Sequence, residues 1–529
     1  MHLVVTIVLH TFCRRRPIHL SISGLLAARV CSDHFSEVVV VEPEALFDSN
    51  GEVLPMDVRR KRILQYTALH GFQPVNLQVV RALYPTFDEE VKALGARVQK
   101  TEYNTHVAGV QIPSPEVYIS RAAYETVVRK LTKQSCSNIK FLNGMVLGVK
   151  PSAYDPSKIG SVQVRLNGSE NAAQTLNVPA ALLVDCTGHT LSAGPKWLER
   201  AGFGVPLDGE QLGPDQLHIR DIRQSYDPKM HYTSHSFRVR PEVQELLPIP
   251  GGYKRAGFLY SYFSDPRMDN KTVLLTWSDP DKLSLAIGGW DLQERPKTVE
   301  DLKHFLRNLN GVEPVPKWIF DTLDLVADDE VPDWAVDVRV PPLSYNRYDL
   351  AVNLPTNFAA IGDSVMRVNP SFGQGCAKAA LGAATLDSVL RKILLKQKQP
   401  CSDDEELDGW LPSSFGPEFW NSHTARTASI WYSTKAMDYS YASTIPVRGE
   451  DLSYGTFGRW YRDQLIELCT RDKQVAEIAW RANMFVGCPT DTFSPSVLAK
   501  VAKAWVQREV PCFVRSRWAN VKKQFVSEL

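Results

Sequence analysis

The chain has 529 residues, of which 44% are hydrophobic and 22% charged, ordinary globular values that exclude wholesale disorder. Its 60 basic and 59 acidic residues leave a net charge of +1, so no global field draws it to nucleic acid or anionic lipid. At this length a single core is too little, and about two or three cores sharing the chain are expected.

The stretch MHLVVTIVLHTFCRRRP holds an apolar run too short to cross a bilayer, and its basic residues follow the run, opposite to a secretory signal. The nine cysteines are dispersed without a C-x-x-C pair, as in reduced intracellular thiols. A cytoplasmic location is expected, with peripheral membrane contact left open.

Residues 3–9 and 38–42 are rich in β-branched side chains, and 24–29 between them favour helix, so the chain opens as a βαβ unit. Glu42 closes the second run, where a carboxylate takes the ribose hydroxyls of an adenine dinucleotide. With Gly24 as the last glycine of a Gly-x-Gly-x-x-Gly turn, Glu42 stands at the spacing of an intact fingerprint. His19 and Ser21 occupy the other two glycine positions. Residues 11–19 match neither strand nor glycine turn, while everything after them is in register. A faulty gene-model translation of that stretch explains this better than a genuine loss of pyrophosphate contacts. The arginines at 14–16 are read as a solvated run.

From 59 to 100 the pattern turns helical, with Leu77, Val80, Leu83, Phe87, Val91 and Leu94 three and four residues apart. YISRAAYETVVRKL is an amphipathic helix, and IKFLNGMVLGVKP, SVQVRLNG and QTLNVPAALLVDCTG read as successive strands. Residues 205–333 mix strands (GFLYSYFSD, KTVLLTWSD) with one helix around 302–309, as in a β-rich platform. Alternation alone does not decide whether Tyr260, Tyr262, Phe263 and Trp277 face substrate or core. His231 and His235 have helical ligand spacing in a strand setting, so no metal site is expected. A charged linker, CSDDEEL, leads into a largely helical C-terminal region.

The most specific stretch is NFAAIGDSVMRVNPSFGQGCAKAALGAATLDSVLRKIL. An apolar strand ends at Gly362-Asp363, a loop carries Asn369-Pro370, and Gly373-Gln374-Gly375 opens a long Ala/Leu helix. Asp363 is an acceptor for a polyol hydroxyl, the glycines let a flat ligand approach backbone, and the helix start offers unpaired amides and positive partial charge. The segment resembles the second FAD motif of glutathione-reductase-type flavoprotein monooxygenases. Its Asn-Pro-x-Phe-Gly-Gln-Gly form is most similar to the branch of squalene-epoxidase-like monooxygenases, geranylgeranyl-reductase-like enzymes and flavin halogenases. GFQPVNLQVVRALYPTFDEEVKALGA resembles the helical insertion of that branch. SRAAYETVVRKL resembles its Arg-x-x-Leu-Glu-x-x-Leu-Arg helix, which implies that Arg121 lies near the flavin or its phosphates. LLVDCTGHTLSAGPKWLERAGFG resembles the strand end that closes the FAD domain, with Asp185 and Gly188 in the matched positions and His189 in place of the usual Arg.

The resemblance spans about residues 20–395 and implies an α/β fold: a Rossmann-like FAD-binding domain with an inserted β-rich substrate domain and a C-terminal helical region. The implied domains are 1–204 for the first part of the FAD domain (with the helical insertion at about 59–100), 205–333 for the substrate domain, 334–395 for the second FAD part, and 396–529 for the helices. The implied cofactor contacts are Gly24, Glu42, Arg121, Asp185, Gly362, Asp363, Pro370, Gly373, Gln374 and Gly375. The implied activity is FAD-dependent monooxygenation, a hydroxylation or epoxidation, of an apolar small molecule by NADPH or NADH and dioxygen, in secondary metabolism. A reductase shares flavin and apolar pocket and is the alternative. A halogenase is disfavoured by the absence of a Trp-x-Trp-x-Ile-Pro segment, and a degenerate flavoprotein acting as a binding protein is the non-enzyme alternative. IGDSV contains the Gly-Asp-Ser of a lipase family, but the Asp-x-x-His pair, Asp301 to His304, precedes it, so order excludes a hydrolase.

Overall fold

Val38–Val41 is a run of β-branched residues buried on both faces, as befits a strand inside a parallel sheet. The strand Glu37–Glu42 runs parallel to Val4–Val8 on one side and Ile139–Pro151 on the other. Val4–Val8 in turn pairs in parallel with Leu182–Asp185, which pairs with Phe358–Ala360. Register aligns Val8 with Val41 and Asp185, and Asp185 with Ala360, so the carboxyl ends of these strands emerge along one edge. Between Val4–Val8 and Leu182–Asp185 the strand order reverses direction. That is the switch point outside which open α/β sheets bind ligands. The computed structural model describes residues 4–8, 22–58, 60, 65–99, 105–107, 110–112, 116–167, 175–188, 193–253, 259–311, 314–327, 334–397 and 411–507. The arginines at 14–16, His19, Ser21 and His189 lie outside the described residues.

An antiparallel meander of Ile139–Pro151, Ile159–Leu166 and Thr175–Pro179 completes a seven-stranded sheet. QTLNVPAALLVDCTG, expected as one strand, is two. Thr175–Pro179 ends the meander, and after Ala180 and Ala181 the chain enters the parallel sheet as Leu182–Asp185. Asn357 holds this junction, its amide accepting from the Ile159 N–H at 2.8 Å and donating to the Ala181 carbonyl at 3.1 Å.

The expected helix at 24–29 runs Ile22–Ser32 and is buried along almost its whole length. Within 59–100 the helical pattern resolves into Pro74–Leu83 and Phe87–Ala93. The long helix Gly375–Gln397 packs against Ile22–Ser32, Pro74–Leu83 and Phe415–Asp438. Close contact with the sheet depends on Gly382, where an added Cβ would lie 2.5 Å from the Ile361 side chain. Gly382→Ala is therefore expected to cost about 1–3 kcal/mol by overpacking, read from denaturant unfolding.

The β-rich platform is a five-stranded antiparallel sheet in the order Tyr260–Phe263, Lys271–Asp279, Lys282–Trp290, Met230–Arg238, Trp334–Arg339. Trp334–Arg339, placed by the sequence in the second FAD part, is thus an edge strand of the platform. The expected helix near 302–309 is Val299–Arg307, started by a Thr298–Asp301 capping box. A further helix, Lys317–Val326, escaped the sequence pattern: Pro316 precedes it and no side chain caps it.

The chain folds as two compact units, residues 1–98 with 116–452, and residues 99–115 with 453–529. The helix Phe415–Asp438 belongs to the first, so the C-terminal block drawn over 396–529 divides between them. In the second unit Thr456–Cys469 and Lys473–Asn483 pack around Tyr461, Leu465, Val475, Trp480 and Val497. No helix among the described residues is long and apolar enough to cross a membrane.

Candidate functional site

The carboxyl edge of the parallel sheet gathers most of the residues singled out in the sequence. Glu42 ends its strand 2% exposed, and burial pushes its carboxyl up to about 7, against the pull of Arg60 and the Glu44 amide. Its Oε1 accepts from the Glu44 N–H at 2.9 Å and from Arg60 at 3.3 Å, whereas Oε2 is buried with no partner. A buried lone acceptor costs free energy unless a ligand supplies the donor. Gly24 lies in the first turn of the Ile22–Ser32 helix, buried and helical, the place of a fingerprint's last glycine.

Arg60 was not legible as a site residue. Its guanidinium bridges Glu42, Glu44 at 3.0 Å and Glu125 at 2.8 Å while only 4% exposed. Glu125 also faces Arg121 at 3.2 Å and Arg129 at 3.8 Å. The Arg121–Ser135 helix, capped by Ser120 accepting from the Ala123 N–H at 3.1 Å, therefore presents Arg121 and Glu125 to one buried charge cluster. Arg121 sits beside Glu125 at the start of that helix.

Asp185 is turned inward. Its Oδ1 accepts from the Thr187 N–H at 2.9 Å, the Thr187 hydroxyl at 2.7 Å and the Ser364 hydroxyl at 3.2 Å, and burial raises its pKa. Ser364 in turn accepts from the Gly188 N–H at 2.9 Å. Asp185 thus ties the end of its own strand to the Gly362-Asp363-Ser364 turn. Gly362 opens that turn at φ 70°, left-handed backbone that favours glycine. The Asp363 carboxylate is half-exposed and forms an ion pair with Lys378, itself 3% exposed, from the first turn of Gly375–Gln397. No motif marks this lysine, four residues past Gln374, as the partner of Asp363.

Asn369 caps the Pro370–Phe372 turn by accepting from the Ser371 N–H at 3.0 Å. Gly373 follows at φ 64°, and a Cβ added at Gly373 or Gly375 would meet no atom within 4 Å. Open space therefore lies along the backbone at the helix start. Gln374 does not face it: its Oε1 accepts from the Thr434 hydroxyl at 2.8 Å, so the side chain points to Phe415–Asp438 and only its backbone borders the loop. Gln73, missed in the sequence, donates to the Phe372 carbonyl at 3.3 Å and leaves its own Oε1 buried and unpartnered.

The loop is held from behind by Asp438. This carboxylate, 0% exposed, accepts from Asn369 at 2.7 Å, the Trp290 indole at 2.8 Å and the Tyr226 hydroxyl at 2.7 Å. Burial raises it to about 6 despite those three donors. Trp290 stacks on Tyr441 with centroids 3.7 Å apart, and Phe372 stacks on Phe263 at 6.1 Å. The aromatics left open by the sequence now divide. Phe263 faces the loop, whereas Trp277 lies on the other face beneath Arg97.

These residues fit FAD at two ends. The orphaned Glu42 acceptor suits a ribose hydroxyl, and the bare Gly373–Gly375 backbone leaves room for a flat ring beside a helix start. The turn expected to meet the pyrophosphate lies outside the described residues. Gly375, whose φ is not left-handed, offers a clean test. Gly375→Leu should change the stability of the FAD-free protein by no more than about 1 kcal/mol while filling the space and lowering FAD affinity at least tenfold, measured by titration.

No protein-family model matches the chain. A protein of Mycobacterium tuberculosis called Protein Rv3254 is 21% identical over 443 residues, covering 78% of this chain and 81% of that protein. The structure of the flavin-dependent brominase Bmp2 superimposes with a TM-score of 0.54 at 13% identity, over 96% of this chain and 99% of that one. PqsL, a probable FAD-dependent monooxygenase from Pseudomonas aeruginosa, gives a TM-score of 0.50 at 15% identity, over 83% of this chain and 96% of its own. The chain thus shares the fold of these two solved flavoproteins, a Rossmann-like α/β architecture.

Proposed function

We propose that the protein is an FAD-dependent monooxygenase, reduced by NADH or NADPH, that hydroxylates or epoxidises an apolar small molecule of secondary metabolism. The observation carrying this reading is the conjunction of an orphaned Glu42 acceptor with open space beside Gly373 and Gly375, on the fold of flavoprotein oxygenases. Bound FAD supplies two-electron chemistry with a nicotinamide donor and with dioxygen. The chain's own part is to hold and shield. Glu42, kept beside Arg60, accepts from the ribose. Asp363, oriented by Lys378, accepts from the ribityl chain. The amides at the start of Gly375–Gln397 favour negative charge on the pyrimidine side of the ring, by about 0.3–1 kcal/mol. Asp438 fixes the Asn369–Phe372 loop, whose residues would shield a bound flavin from water.

Monooxygenase and reductase are separated by the fate of oxygen. With a nicotinamide donor, labelled dioxygen and a panel of apolar ring compounds, the product should be heavier by one labelled oxygen atom. A product that gains two hydrogens, carries no label and forms without oxygen would establish the reductase instead.

A further inference from the structure

Beside the Gly362-Asp363-Ser364 turn lies a small antiparallel sheet of Arg223–Tyr226, Leu343–Asn346 and Met366–Arg367, in that order. Its two faces differ. Tyr226 and Tyr345 lie on one of them, against Trp431 of Phe415–Asp438. Register sets Arg223 opposite Asn346 and Arg367 opposite Ser344, so these side chains share the other face. Two arginines therefore flank a middle strand of small polar residues, their own strands about 10 Å apart. Asn346 ties this face to the turn, its Nδ2 donating to the Ser364 carbonyl at 2.9 Å.

Polar groups here are left incomplete. The Arg367 Nη2 donates to the Pro342 carbonyl at 2.7 Å, but its Nε is buried without a partner. The Ser344 hydroxyl and the Asn346 Oδ1 are buried without partners as well. Burial lowers the pKa of Arg367, Asp363 raises it, and Arg223 lowers it again, so the two guanidinium groups repel each other. Asp363, the carboxylate acting on Arg367, is already ion-paired with Lys378. Crowding like charges partly out of water costs free energy that a bound anion would offset. Arg223 is exposed and Arg367 half-buried, so the pair is open to a ligand from solvent. A bare anion would complete the arginines and the serine hydroxyl but not the Asn346 acceptor. A phosphate with a sugar hydroxyl beside it would complete both.

We propose that Arg223 and Arg367 bind a phosphate carried on a sugar, the 2′-phosphate ribose of NADPH, and so select NADPH over NADH as the reductant. The inference rests on the flavin reading for the identity of the dinucleotide, not for the phosphate. The planar forks of the arginines suit phosphate oxygens. FAD's own phosphates have the same chemistry, and binding separates the two sources.

The test measures equilibrium binding of NADP+ and NAD+ to the full chain with FAD in excess, and of FAD separately. The oxidised dinucleotides leave the flavin unreduced. Wild type should bind NADP+ at least tenfold more tightly than NAD+, the effect of a charge-assisted contact. Arg223→Gln and Arg367→Gln should each shrink that ratio toward one, with affinity for NAD+ and for FAD unchanged. Arg223→Lys and Arg367→Lys, which keep the charge and lose the fork, should retain part of the preference. Arg238→Gln, an exposed charge on the platform, should leave the ratio as in wild type. Equal binding of the two dinucleotides by wild type, or a preference that survives both glutamine changes, would overturn the proposal. FAD affinity lost in either glutamine variant would give the pair to FAD's phosphates and overturn it too. A failed FAD titration with the NADP+ preference intact would sink the flavin reading and leave the phosphate site standing.

Discussion

Asp438→Ala is expected to lower the unfolding free energy of the first unit by about 3–5 kcal/mol. The substitution strands three buried donors, on Tyr226, Trp290 and Asn369, each costing about 1–3 kcal/mol before relaxation. Trp290→Phe removes one of those donors together with its need and should cost well under half as much. The same carboxyl sets a pH dependence. Its folded pKa of about 6 lies above the ordinary 3.8, so the folded state binds the proton more tightly. The contribution of Asp438 is fully present below pH 3.8 and falls away as pH rises through 6. Denaturant midpoints between pH 4 and 7 should therefore slope less steeply downward in Asp438→Asn than in wild type. An unaltered slope, or an alanine variant as stable as wild type, would show that the three hydrogen bonds do not hold the loop.

Glu42→Gln is expected to separate stability from cofactor binding. The carboxyl is raised from 4.5 to about 7 by burial, so its ionisation opposes folding across that interval and relief comes from protonation or from a ligand donor. A neutral amide avoids that penalty, while Arg60 retains Glu44 and Glu125. At pH 8 the FAD-free variant should unfold at equal or higher denaturant than wild type. Its FAD affinity should nevertheless fall about ten- to a hundredfold, since a charge-assisted acceptor is worth about 1.5–3 kcal/mol. A variant less stable without FAD, yet binding FAD as tightly, would assign Glu42 to structure alone.

Asp363 needs a paired design. Truncating it alone leaves Lys378 charged and buried, so lost FAD affinity would be confounded with lost stability. Asp363→Ala combined with Lys378→Met removes both charges and should lose FAD affinity about tenfold without the added instability.

What the sequence carried well was local. The valine run before Glu42, the glycines around Gln374 and the amphipathic helix from Arg121 are written in adjacent residues and short periods, and each appears where expected. What it hid was polar pairing at long range. Asp438 meets Asn369, Trp290 and Tyr226 across 69, 148 and 212 residues, and no periodicity marks such contacts. Arg60 carries no motif, and its carboxylate partners Glu42, Glu44 and Glu125 lie 16 to 65 residues away. Gln374 belongs to the motif, but Thr434 claims its side chain. Asp185 is expected to contact the cofactor, and the partners of its Oδ1, Thr187 and Ser364, are not marked by that expectation. The split at Ala180 was invisible because one apolar stretch feeds strands in two different parts of the sheet.

The most direct measurement is titration of FAD into the purified chain, followed by quenching of flavin fluorescence. It should be run beside Gly375→Leu and a chain with glycine restored at both His19 and Ser21. Saturable binding of one FAD per chain is expected, weakened by Gly375→Leu and strengthened by the two glycines. Flavin that stays fully fluorescent with both the original and the glycine-restored chain would contradict the assignment of this edge of the sheet to FAD.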